Sequence, residues 1–162
     1  MKSYQAVLFL VVLTLIMSFS PKKNTASSFP SDLPYFSLRT LEGRLFNRDS
    51  IPSNVKTIWV YYSTECEFSK KQAHFFQKEI NSIDSKNKFF FVSFEERDSI
   101  IKFQNEFQLT QSNVTFLEDY RLTFADKFNL KTYPSILVYD ENKKLLQTFE
   151  GVTKLKKIVK YL

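Results

Sequence analysis

The stretch STECEFSKK, residues 63–71, holds the only cysteine of a 162-residue chain, Cys66, and follows directly on the apolar run TIWVYY. A thiol attacks as its thiolate, and the N–H groups that open a helix stabilise that anion. Past Cys66 the apolar residues Phe68, Phe75, Phe76, Ile80 and Ile83 recur at helical spacing. The cysteine therefore falls at the first turn of a helix fed by a strand. Lys70 and Lys71, one turn on, add positive potential, whereas Glu65, immediately before the thiol, opposes it. The plainer alternative is that Cys66 is a small buried hydrophobe, the usual state of a free cysteine. By the same standard Ser69 is a first-turn residue with a satisfied hydroxyl, and His74 is a helix-surface residue rather than a base.

The scarce residues exclude more than the common ones suggest. One cysteine and one histidine cannot build a Cys/His zinc cluster or an internal disulfide. Only Gly43 and Gly151 are available, so neither a phosphate-binding Walker loop nor a GxGxxG dinucleotide fingerprint exists. No metal or organic cofactor is expected. The net charge of +6 is spread over SKK, SKNK, ENKK and TKLKK, with no run long enough for a nucleic-acid arm. Nucleic acid is not an expected partner. A hydrophobic share of 43% against 25% charged residues is that of a globular chain, and 18 Phe with 8 Tyr point to a core built of rings.

These residues need a scaffold. Residues 1–20 have a lysine, then an apolar stretch from Ala6 to Met17, then small residues, as a signal peptide or N-terminal anchor would. Residues 21–32 are polar and carry prolines, and read as a linker. Residues 33–162 form one domain. YFSLRTLEGRLFN predicts a small hairpin around Glu42–Gly43, and TIWVYYS, residues 57–63, a strand buried on both faces. KFFFVSF (88–94) is a second strand, RDSIIKFQNEF a helix, NVTFLED a brief strand and DYRLTFADKFNL another helix. SILVY and KLLQTFEG form a hairpin joined at Asp140–Lys143. Leu155, Ile158, Val159 and Leu162 mark an amphipathic C-terminal helix. The order is β-α-β-α-β-α-β-β-α behind a hairpin, an α/β arrangement with a mixed central sheet flanked by helices.

That arrangement resembles the thioredoxin-like fold, in its exported TlpA-type or redoxin branch. LPYFSLRTLEGRLFN is similar to the branch's lead-in, and TIWVYYSTECEFSK to the strand that runs into Cys-x-x-Cys. FNLKTYPSILVYDENKKLLQTFEG is similar to the segment bearing the cis-proline, and the intervening residues to the branch's β-α insert. The resemblance puts Cys66 at the first cysteine position, Ser69 at the second, and Pro134 at the cis-proline. It implies a substrate groove shaped by Glu65, Tyr133 and Pro134, and a buried acid where this chain has Val60.

A Cys-x-x-Ser site forms a mixed disulfide but needs an outside thiol to resolve it. The resemblance therefore implies monothiol exchange, with Cys66 as nucleophile, Ser69 as its hydrogen-bond partner, and a thiol- or disulfide-bearing protein as partner. A binding module using the same groove without turnover is the rival. A one-cysteine peroxidase is a third reading: Ser63 can stand for that family's threonine, Trp59 occupies its proline position, and Arg97 or Arg121 would have to supply its arginine. Export to the periplasm, free or membrane-anchored, is the expected localisation.

Overall fold

The computed structural model describes residues 29–162. The expected leader, and residues 21–28 of the expected linker, lie outside them. The last linker residues are docked rather than loose. Phe29 packs on the core, the Ser31 carbonyl accepts from Leu145 N–H at 2.8 Å, and Asp32 bridges to Lys144.

The elements are β1 (Ser37–Thr40), β2 (Leu45–Asn47), β3 (Thr57–Tyr61), α1 (Glu67–Glu79), β4 (Lys88–Ser93), α2 (Arg97–Glu106), β5 (Val114–Glu118), α3 (Phe124–Phe128), β6 (Ser135–Tyr139), β7 (Leu145–Glu150) and α4 (Leu155–Ile158). They form one seven-stranded sheet in the order β2-β1-β5-β4-β3-β6-β7. β3 pairs in parallel with β4, and β4 with β5. The other pairings, β1 with β2, β1 with β5, β3 with β6 and β6 with β7, are antiparallel. Gly43, at φ +82, turns the chain between β1 and β2, a left-handed conformation that glycine adopts without a Cβ clash.

Every residue of β3 is buried, because its two faces feed two cores. Ile58 and Val60 point into one with Phe76, Phe91 and Phe103. Trp59 and Tyr61 point into the other with Phe36, Phe90 and Phe124. The expected strands 57–63 and 88–94 stop at Tyr61 and Ser93. The C-terminal helix is a single α-turn followed by a 3-10 turn over Val159–Tyr161. Leu155 and Ile158 are buried there, but Val159 faces out.

The face of α1 differs from its apolar pattern. Its buried residues are Ser69, Gln72, Ala73 and Phe76, with Ile80 continuing the row. Phe68 lies about 100° round the helix from Ser69 and is 64% exposed. Hydropathy could not find a stripe whose first two members are polar. Gln72 earns its buried place through two hydrogen bonds, accepting from Thr153 N–H at 2.6 Å and donating to Thr153 O at 2.9 Å.

Candidate active site

Where β3 ends, Tyr62 N–H still donates to Val92 O at 3.0 Å, and then the backbone leaves the sheet. Cys66 is the N-cap residue of α1, in extended conformation at φ −80 and ψ 119. Its N–H donates to Ser63 O at 3.3 Å, and its carbonyl accepts from Lys70 N–H at 3.0 Å. The side chain does not cap the helix. The half-buried thiol instead faces the Tyr133 carbonyl, 3.8 Å from Sγ. The Tyr133–Pro134 peptide bond is cis. Pro134 is tied down by its carbonyl, which accepts from Gly151 N–H at 2.8 Å, and Ser135 Oγ donates to Thr132 O at 2.7 Å.

No protein-family profile matches the sequence, and none of the curated proteins compared with it matches. Solved structures do match. StoA from Bacillus subtilis superposes at a TM-score of 0.66 with 18% identity, covering 82% of this chain and 98% of its own. The thioredoxin domain of a thiol-disulfide oxidoreductase from Bacteroides vulgatus gives 0.68 at 15% identity, over 82% and 96%. A peroxiredoxin-like protein from Aquifex aeolicus gives 0.65 at 12%, over 82% and 84%.

The chain has a thioredoxin-like fold.

Within the thioredoxin-like frame, the chain order brings Cys66, Ser69, Tyr133 and Pro134 to one end of the sheet. Ser69 is 2% exposed, and its hydroxyl accepts from Ser63 N–H at 3.3 Å. Glu65 is exposed and makes no ion pair among the described residues. Lys70 pairs with Glu67 at 3.0 Å, a contact that raises the lysine's pKa. Val60 is packed in the apolar core. His74 is exposed, with its ring edge-on to Phe107.

Exposed aromatic rings lie along the site. Tyr133 is 37% exposed, its ring 5.2 Å from Tyr61 and 5.6 Å from Phe94, and Phe68 follows two residues after the thiol. Burial, then the hydrogen bond and proximity of Tyr133, push the Tyr61 phenol well above its ordinary pKa. Arg97 lines a surface cleft with Arg39, Glu96, Asp98 and Glu118, and Arg121 lies over the Tyr120 ring. Among the described residues no hydrogen bond or ring contact joins either arginine to Cys66. No group of three or more His, Cys, Asp or Glu among them could hold a metal ion, and no helix among them is long and apolar enough to cross a membrane.

Two carboxylates at this end were not singled out from the sequence. Asp119, fully buried, accepts from Thr123 N–H at 3.2 Å and Phe124 N–H at 2.8 Å, and so opens α3. Glu95 accepts from Ser63 Oγ at 2.7 Å and Thr64 N–H at 3.0 Å. Asp119 carried one local signal, its place five residues before the start of α3; Glu95 carried none.

Proposed function

We propose that this is an exported protein that exchanges thiols and disulfides through Cys66 alone. The observation that carries the reading is the placement of the half-buried thiol at the mouth of α1, with Sγ 3.8 Å from the Tyr133 carbonyl. In the first step the Cys66 thiolate attacks one sulfur of a partner disulfide. A Cys66–partner S–S bond forms, and the second sulfur leaves as thiolate with the bonding pair. An outside thiol then displaces Cys66, since Ser69 has no sulfur to do so. No electrons are needed beyond those of the two thiols. Glu65, Tyr133 and Pro134 line the approach of the partner.

The test is adduct formation between the full chain and a small disulfide reagent at neutral pH, followed by mass, with Cys66→Ser as control. Reaction faster than that of a cysteine peptide supports exchange. Reaction no faster favours the second reading, a non-catalytic binding module. The exposed rings of Phe68, Phe94 and Tyr133 support that second reading, since they offer apolar contact around the thiol. Export rests on the leader-like residues 1–20; a chain found in the cytoplasmic fraction of its host would refute it.

A further inference from the structure

We propose that Glu95 is a positioning residue for Cys66, holding the Ser63–Thr64 corner that aims the thiol at the Tyr133 carbonyl. This rests on the thiol-exchange reading above. Glu95 follows the end of β4, and its backbone N–H donates to Ser93 Oγ at 3.3 Å. Its carboxylate is fully engaged: Oε1 takes Ser63 Oγ at 2.7 Å and Thr64 N–H at 3.0 Å, while Oε2 takes Ser93 Oγ. All three donors are neutral, and no cation pairs with it among the described residues. The carboxylate thus serves as a two-pronged acceptor. It continues the sheet's hydrogen bonding past Tyr62, where the backbone ladder from β4 gives out.

Ser63 is the node through which this reaches the thiol. Its hydroxyl binds Glu95, its N–H donates to Ser69 Oγ at 3.3 Å, and its carbonyl accepts from Cys66 N–H at 3.3 Å. With Glu95 removed, the corner loses two of the bonds that define it. Thr64, 6% exposed, is left with a shielded N–H and no acceptor. The chain between β3 and α1 is then free to relax, and Cys66 with it. A purely structural strand-end contact would predict a lower melting point and nothing at the thiol.

The full chain is compared with Glu95→Ala, Glu95→Gln and Ser63→Ala. Three readouts are used: reaction rate with a small disulfide, amide hydrogen exchange at Cys66, and thermal midpoint. The glutamine keeps an oxygen for Ser63 and Thr64 and an amide for Ser93, so it is expected within about twofold of the parent rate. Glu95→Ala is expected to slow the reaction about fivefold to tenfold, the equivalent of one ordinary hydrogen bond lost. It should also speed exchange at the Cys66 N–H about tenfold. Ser63→Ala should fall between, and supplies the result if Glu95→Ala does not fold. Glu95→Ala matching the parent in rate and in Cys66 exchange overturns the proposal, as does Glu95→Gln behaving like Glu95→Ala. A parent no more reactive than a cysteine peptide defeats the exchange reading alone, because the exchange at Cys66 N–H still reports the positioning.

Discussion

The Ser69 hydroxyl accepts its hydrogen bond from Ser63 N–H at 3.3 Å, not from Cys66. The serine at the second motif position therefore supports the corner before the thiol, and its proton is left to donate elsewhere.

Ser69→Cys tests both sides of this. A second thiol there supplies the missing resolving group, so the variant should form an internal disulfide with Cys66 and reduce insulin disulfides where the parent does not. Sulfur is the weaker acceptor for Ser63 N–H, so the reduced variant should lose about 1 kcal/mol of stability. Insulin turbidity and urea denaturation under reducing conditions measure the two effects. A variant that forms the disulfide yet leaves insulin intact when kept reduced by dithiothreitol would mean the remainder of the site is unfit for turnover.

Restoring the buried acid should fail. Val60 is 1% exposed among Ile58, Tyr62 and Phe91, with no cation beside it in that cluster. Val60→Asp buries an unpaired carboxyl and should destabilise by at least about 3 kcal/mol at neutral pH. Denaturant unfolding at pH 7 and pH 4 checks this, with the loss smaller at pH 4, where the carboxyl can enter the core protonated.

Tyr62 offers the opposite change. Its ring is 1% exposed, and its hydroxyl has no hydrogen-bond partner among the described residues. Tyr62→Phe should therefore raise stability by about 1 kcal/mol. Burial, reinforced by the negative charge of Glu95, holds the Tyr62 phenol well above its ordinary pKa. The sign follows: below about pH 10 the phenol is neutral in both states and its ionisation contributes nothing, whereas above it only the unfolded chain ionises. Stability should fall as pH climbs past 10, less steeply in Tyr62→Phe. Equal slopes would place the alkaline loss elsewhere.

Gln72 anchors α1 to the segment after β7 through both Thr153 contacts. Gln72→Ala strands the Thr153 N–H and carbonyl in a buried place and should cost about 2 kcal/mol. Gln72→Glu, which can accept from the N–H but not donate to the carbonyl, should cost no less. Thermal midpoints of the two variants decide it.

Much of this architecture could be read from the residues in order. The unbroken β-branched and aromatic run TIWVY marked a strand covered on both sides, and the switch to helical spacing placed Cys66 at a strand-to-helix junction. Both are local patterns, since side-chain direction repeats every two residues in a strand and every 3.6 in a helix. The buried face of α1 departs from the apolar pattern at Phe68, because Ser69 and Gln72 are held inside by their hydrogen-bonding partners, Ser63 and Thr153.

Chain order and periodicity alone determined the α/β sequence of elements, the two central strands and the junction that carries the sulfur. The tertiary structure decided what surrounds that sulfur: the Tyr133 carbonyl before it, and Glu95 beneath the corner 32 residues from Ser63. The physical reason is that parallel strands meet only through long crossovers. Which polar groups then share a strand end depends on register and packing across the sheet, and no window of neighbouring residues records that.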